Sequence, residues 1–364
     1  MEIYILLMVW SILAGFIFFN ERNLKIKKKI YFILVYIPLI LVSGLRGINV
    51  GTDTSLFHQW FYAANNIDIR PSLFLTLSDG SALEFGFVYI CYLFNTFSIN
   101  VQVLIFLVSA LTIGGIGYGF YRYSKSLWLS TFLFIALYSY QETFNMARQA
   151  IVVMIMFNAY GYLRDNFRLK YFITIIVSMF FHFTALVYMM FVLLMPIKMR
   201  KIILLMAMFF VIFCMWDMIV YFSGDIAPKY LHYINSEYTA SRSFGPGIIQ
   251  IIGIMFLIGI TWILNKNKKF NLIEKKEVNI CNTFMLFSMI EIIGQYIVPL
   301  LARFNPYCFI YIDLLIPLIL SKLTNISMFT KYIIYVFIVL CGFIYCIYSM
   351  YLGKHEVVPY NFCF

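Results

Sequence analysis

The chain has 364 residues, of which 63% are apolar, 20% aromatic and only 12% charged; soluble domains are nearer half apolar and a quarter charged, so a soluble globule is excluded. The formal charge of +11 does not indicate a nucleic-acid binder, because most of the cations stand in short clusters between apolar runs, as in the cytoplasmic loops of membrane proteins. The seven cysteines are scattered without a CxxC pair and the four histidines lie far apart, so no disulfide framework, metal cluster or cofactor is expected.

Apolar runs of spanning length recur from end to end. They predict an all-α polytopic transmembrane bundle of about 10–12 spans, partial or re-entrant helices included, in a single integral membrane domain over residues 1–364. The run Ile3 to Phe19 has no basic segment before it and no small-residue cleavage site, and reads as a retained span rather than a signal peptide. The cluster from Arg22 to Lys29 places the next loop inside and the N-terminus outside. Ile30 to Ser43 then delivers residues 44–86 to the outer face as an extracytoplasmic loop. That loop opens with Gly44, Gly47 and Gly51, and sets Arg46 and Asp53 between and beside them. Glycines allow backbone shapes in which amides are exposed beside the arginine, a pattern suited to a phosphate-like group.

The next apolar piece, Phe87 to Phe97, is too short to cross at about 1.5 Å per residue and is read as a half-length or re-entrant element. Val101 to Tyr121 leads inside to Arg122 and Lys125, and Leu127 to Tyr140 leads out to residues 141–149. Ile151 to Leu163 returns to Arg164, Arg168 and Lys170. The run Tyr171 to Ile197 has basic residues at both ends and one ionisable residue, His182, near its middle; it is expected to dip into the membrane and come back, with His182 near the tip. Residues 202–222 cross outward to a second extracytoplasmic loop, 223–247, rich in tyrosine. Residues 248–264 return to a basic cytoplasmic loop, 265–277. Ile280 to Leu301 goes out to a tight outer turn from Arg303 to Tyr307, Phe309 to Leu320 comes in, and Tyr332 to Tyr351 leaves the tail outside.

This topology leaves Arg46, Arg70, Arg148, Lys229, Arg242, Arg303 and Lys354 outside, against the general bias. Cations on the translocated side prompt the question of what they bind. Arg148 stands just before a helix, where a guanidinium would be joined by the positive end of a helix dipole. Arginines converging on a membrane surface suit a lipid-linked phosphate or pyrophosphate better than a neutral solute, although each could instead pair with an acid or a headgroup. Glu84, Asp53 and Glu142 are the neighbouring acids; Glu291, Gln295 and Asp313 are read as structural polar groups inside the bundle.

In order along the chain, Leu45-Arg46-Gly47, Val50-Gly51-Thr52-Asp53-Thr54, Glu84-Phe85-Gly86, Arg148-Gln149 and Phe181-His182-Phe183-Thr184-Ala185-Leu186 resemble the motifs of the EpsG family. These multi-pass membrane proteins belong to exopolysaccharide, capsule and O-antigen clusters and are regarded as Wzy-like polymerases. The Arg303 to Tyr307 segment resembles the family's late arginine motif more loosely. The resemblance implies a glycosyltransferase of the bacterial cytoplasmic (inner) membrane that uses undecaprenyl-pyrophosphate-linked oligosaccharides as donor and acceptor at the outer face. A chain-length regulator and a flippase of the same pathway are the expected partners besides the bilayer, with no nucleic acid. In that chemistry Arg46 and Arg148 are expected on the pyrophosphate, His182 or Asp53 as base, and Glu84 on the sugar or an arginine. Arg303, Tyr307 and the loop tyrosines Tyr230 and Tyr233 complete the expected substrate contacts. A flippase, a glycan ligase and a membrane acyltransferase are the competing classes. A flippase would show charges along a path through the bilayer; an acyltransferase would take its donor from the cytoplasm.

Overall fold

Inside a bilayer only helices and closed barrels satisfy every backbone polar group, and the described residues are mostly helical. The structure, a computed structural model, describes residues 1–19, 24–65, 67, 74–78, 82–194, 244–295, 299–324 and 326–364. Among these, five helices are long and apolar enough to cross a membrane, and shorter apolar helices lie before and between them. The protein is therefore an all-α multi-pass membrane protein. The chain divides into two compact units, Met1–Leu186 with Leu323–Phe364, and Val187–Lys322.

The first unit contains α1 (Glu2–Phe19), α2 (Leu24–Gly44), α3 (Thr54–Ala63), a two-stranded antiparallel hairpin of β1 (Phe74–Thr76) and β2 (Ala82–Glu84), α4 (Phe85–Thr96), α5 (Val101–Tyr123), α6 (Leu127–Ala136), α7 (Ser139–Glu142), α8 (Ala147–Asn158), α9 (Tyr160–Arg164), α10 (Arg168–Met179) and the helix Met328–Tyr351. Helix α5 is its hub. A methyl group at Gly117 would meet the Tyr36 ring of α2 at 2.1 Å, and methyls at Gly115 and Gly119 would meet Met154 and Phe157 of α8 at 2.3 and 2.5 Å. Small residues on α5 thus let the backbones of α2 and α8 approach closely, as membrane helices require when no hydrophobic drive separates helix from lipid.

The segment expected to be a loop over 44–86 holds structure of its own. Thr54, Phe57 and Phe61 recur at helical spacing and are buried on one face of α3. In the hairpin, Leu75 lies opposite Leu83. Phe57, Phe61, Leu75, Leu77 and Leu83 join Phe87, Val88, Leu104 and Ile105 in one apolar cluster. The polar letters between them concealed that period in the sequence. The half-length element is α4, whose 12 residues extend about 18 Å.

Several ends of the first unit meet at one place. Gln102, at the start of α5, donates to the carbonyl of Gly44 at the end of α2 (2.8 Å). Tyr4, at the start of α1, donates to the carbonyl of Val357 (3.0 Å). The C-terminal tail is laced onto the glycine-rich loop: Gly47 N–H donates to Asn361 O, Cys363 N–H to Leu45 O and Gly51 N–H to Glu356 O, while the Tyr360 hydroxyl donates to Val42 O. Gly51 has φ +93° and a Cβ there would lie 2.4 Å from Asn145 Oδ1, so both its conformation and its crowding require glycine. The opposite ends of α5 and α8 also meet, through Tyr123 Oη and Asn158 O (2.9 Å). The glycine-rich loop and the tail consequently share one membrane face, and residues 123–126 and 164–167 the other. Cysteines placed at Thr52 and at Glu356, both exposed, in a background lacking native cysteine, should therefore react alike with an impermeant thiol reagent, and in intact cells on the outer placement that the charge pattern predicts. A cysteine at Phe167 should react only after the membrane is opened; reaction at Thr52 and not at Glu356 would break the shared face.

In the second unit, the described helices are Tyr188–Leu194, Phe244–Lys266, Leu272–Gly294, Asn305–Phe309 and Ile312–Ser321, with a 3-10 turn over Pro299–Phe304. Asn271 and Glu274 cap the second of the long helices reciprocally. Tyr188, Phe191, Phe284, Tyr307 and Tyr311 form an aromatic core. Asn282 Nδ2 donates across to Thr261 Oγ1 (2.9 Å), an interhelical polar tie. Residues 303–307, expected as a tight turn, are helical: Pro306 stands in the first turn of its helix, where its missing N–H costs nothing.

Candidate active site

Glu84 ends β2 and occupies the N-cap position of α4, but its side chain makes no capping bond. Its carboxylate reaches two other elements instead. Oε2 accepts from Nη1 of Arg148, and Oε1 accepts from the N–H of Phe183 (3.0 Å) and pairs with Nδ1 of His182 (2.7 Å). Residues 64 and 98 positions away in sequence are thus held by one acid.

The backbone explains how His182 comes to that spot. Helix α10 ends at Met179, and the amides of Phe181 and His182 turn back onto the carbonyl of Ser178. The carbonyl of Phe180 is taken by the amide of Gly86 at 2.7 Å, and the Phe183 amide, at the start of the next turn, is taken by Glu84. The orphaned groups of a helix end are therefore satisfied by the Glu84-Phe85-Gly86 segment. His182 stands between that helix end and a 3-10 turn, Phe183–Val187. At Gly86 a Cβ would sit 2.8 Å from the Phe180 carbonyl oxygen, a backbone atom that cannot swing aside. Gly86→Ala should push the end of α10 away from the start of α4, cost about 1–3 kcal/mol and lower the thermal midpoint; an unchanged midpoint would show that this contact is not tight.

Arg148 lies in the first turn of α8, inside the helix rather than just before it. Its Cζ stands 4.6 Å above the Trp60 ring of α3, a cation–π contact that fixes the guanidinium from a second side. The Glu84 side chain is 5% exposed whereas those of Arg148 and His182 are each 17% exposed, so the acid forms the floor and the two nitrogen groups form the mouth. Burial raises the pKa of the Glu84 carboxyl, but the hydrogen bond with His182, the Arg148 charge, the charge of His182 when protonated and the Phe183 amide outweigh it and bring the value down to about 2. Glu84 is thus ionised at neutral pH and acts only as an acceptor. Because its folded value lies below the usual 4.5, its stabilising contribution is present above that pH and is lost as pH falls toward 2. The thermal midpoint should fall across this window in the wild type and fall less in Glu84→Gln.

Arg46 is placed differently from the expectation. It is 3% exposed and its donors are engaged by its own fold. Nη1 donates to Ser43 O (2.6 Å), Nη2 to Phe144 O (3.1 Å) and Nε to Thr54 Oγ1 (3.1 Å), with the Phe144 ring 5.0 Å away. Burial holds the guanidinium down at about 10, still charged at neutral pH. Arg46 thus has a scaffold role, tying the end of α2, the start of α3 and the 3-10 turn before α8 together. Asp53 caps the start of α3 by position without a side-chain capping bond; its carboxylate accepts from Thr52 Oγ1 (3.0 Å). In the second unit Arg303 lies in the last turn of the 3-10 segment Pro299–Phe304 and Tyr307 is fully buried against Tyr188. Tyr230 and Tyr233, with Arg70, Lys229 and Arg242, lie outside the described residues.

Trp60 was not anticipated. Its signal was its place three residues after Phe57 in an amphipathic stretch that follows the glycine-rich loop.

A buried carboxylate that presents an arginine and a histidine at one face of a multi-pass helical protein defines a membrane protein with a polar, charge-paired site. The chain matches the EpsG family over residues 29–362, nearly its whole length, and belongs to that family. It is accordingly a polysaccharide-polymerase-like membrane protein. No curated protein matches the chain, and no solved structure does.

Proposed function

We propose that the protein is a membrane glycosyltransferase that polymerises undecaprenyl-pyrophosphate-linked oligosaccharide repeat units into a surface polysaccharide (an O-antigen, capsule or exopolysaccharide), at the outer face of a bacterial cytoplasmic membrane. The observation that carries this reading is the Glu84–Arg148–His182 constellation, in which a guanidinium and an imidazole are set side by side by one acid.

The chemistry needs two things. Charge that develops on the departing pyrophosphate must be met, and the attacking hydroxyl must lose its proton. Arg148 fits the first need: it stands at a helix start whose first-turn amides have no side-chain cap, so guanidinium and helix dipole favour an anion together. His182 fits the second. An acceptor-sugar oxygen attacks the anomeric carbon of the growing chain, the bond from that carbon to the pyrophosphate oxygen breaks with its electron pair leaving on the lipid pyrophosphate, and the hydroxyl proton passes to His182. Arg303 and the tyrosine-rich segment with Tyr230 and Tyr233 are assigned to the repeat unit, whose sugars stack on aromatic faces.

The test is incubation of the purified protein in liposomes with lipid-linked repeat unit. A ladder of longer lipid-linked products, absent with His182→Ala, supports the reading. Movement of the unit between leaflets without any ladder would make the protein a flippase instead.

A further inference from the structure

Glu84 holds both of the residues that the proposed reaction sets against its substrate, Arg148 and His182. A carboxylate has no proton to give, so the nitrogen of His182 that lies 2.7 Å from Oε1 must be the donor, and in a neutral imidazole the other nitrogen is then the acceptor. No described residue bonds to that second nitrogen, Nε2. The geometry points to Glu84 as a positioning residue for the transfer: its Oε1 fixes His182 in the Nδ1–H tautomer so that Nε2 is the atom left to take the acceptor hydroxyl's proton, while its Oε2 holds Arg148 beside it. The inference rests on the transferase reading above and adds a residue role to it.

Only a glutamate serves both functions. Glutamine has one acceptor oxygen. If that oxygen stays on His182, its NH2 faces the Arg148 guanidinium, donor against donor. If it turns to Arg148, the NH2 donates to Nδ1 and the ring proton moves to Nε2, which removes the base. Aspartate keeps the charge but is one methylene shorter and cannot span both partners. The Phe183 amide on the same Oε1 (3.0 Å) and the Gly86 amide on Phe180 O keep the ring-bearing turn at a fixed distance from the acid, so loss of the carboxylate leaves a backbone tie in place. That tie separates positioning from folding.

The experiment uses full-length protein in nanodiscs with 15N-labelled histidine, the His182 signals being assigned by subtraction of the His182→Ala spectrum. The expected wild-type spectrum is that of an Nδ1–H, Nε2-bare imidazole; Glu84→Gln should shift it to the Nε2–H form, because the charged guanidinium takes the single amide oxygen and leaves the NH2 facing Nδ1. Polymerisation by Glu84→Gln should fall about 100-fold or more in kcat, and adding His182→Ala to it should cost less than about threefold further, because both changes remove the same base. Should Glu84→Gln fail to reach the membrane, Glu84→Asp provides the second test, with an expected loss of about tenfold or more. An Nε2–H tautomer in the wild type, full kcat in either variant, or fully additive losses would overturn the role of Glu84. The tautomer is read without substrate. A wild-type protein that gives no ladder therefore overturns the transferase reading alone, and the spectrum judges Glu84 separately.

Discussion

His182→Ala is expected to lose polymer growth by about 100- to 10,000-fold, the range for removal of a general base, while the lipid-linked donor still binds and the protein still reaches the membrane. The structure gives the reason for that separation. When the imidazole is removed, Glu84 keeps the Arg148 guanidinium and the Phe183 amide, so no buried charge is left without a partner. The turn itself is held by main-chain bonds from Ser178 and Gly86, which do not involve the ring. In the proposed function donor binding is assigned to Arg148 and the start of α8, which the substitution leaves untouched. The measurement is product length on a gel beside donor retention by the same protein in liposomes. Normal chain growth in the variant would remove His182 from the reaction and transfer the base to Asp53, the other acid-base candidate read from the sequence. Loss of donor binding together with growth would show that His182 holds the pyrophosphate rather than the hydroxyl.

Glu84, Arg148 and His182 were each legible in the sequence, for different reasons. Glu84 stood out beside a glycine, Arg148 as a cation on the translocated side, and His182 as a lone ionisable residue inside an apolar run. Their convergence was not legible, since the contact spans 64 and 98 residues and no local period encodes it. The number and placement of apolar runs foretold the helical bundle, because hydropathy alone decides which segments can lie in lipid. The hairpin and α3 were missed because three-residue strands and a ten-residue helix carry too little pattern against a polar background. Arg46 shows a different limit. A sequence gives a cation and its neighbours, but not whether the guanidinium points at a ligand or at carbonyls of its own chain. Phe144, which lies 98 residues away and accepts from it, gives no sign of that in the sequence.

Lysine at Arg148 and lysine at Arg46 should both reduce polymer output, and through different quantities. At Arg148 the guanidinium has one nitrogen on Glu84 and its face on Trp60, which leaves the remaining N–H groups for two oxygens of a phosphate. Lysine keeps the charge but offers a point cation that cannot serve acid and phosphate as a planar fork does. Arg148→Lys should therefore fall almost as far as Arg148→Ala in polymer yield, at unchanged membrane level and with a nearly unchanged thermal midpoint. Arg46 faces no such choice, because three donors already end on Ser43 O, Thr54 Oγ1 and Phe144 O. A lysine there reaches fewer of those acceptors from a more flexible stem and buries a cation that is poorly matched. Breaking a buried charged network costs about 3–5 kcal/mol, a large share of the roughly 5–15 kcal/mol that holds a domain together. Arg46→Lys should thus lower the thermal midpoint and the amount of protein in the membrane, and the polymer lost should follow the protein lost. Both variants are compared in cells lacking the native protein, with yield normalised to membrane level and midpoints measured on detergent-solubilised samples. If Arg46→Lys is as stable as the wild type yet inactive, Arg46 contacts substrate, and the scaffold role drawn from its bonds is wrong. If Arg148→Lys restores full yield, local positive charge is all that the donor needs, and the fork between Glu84 and the phosphate has no part in the transfer.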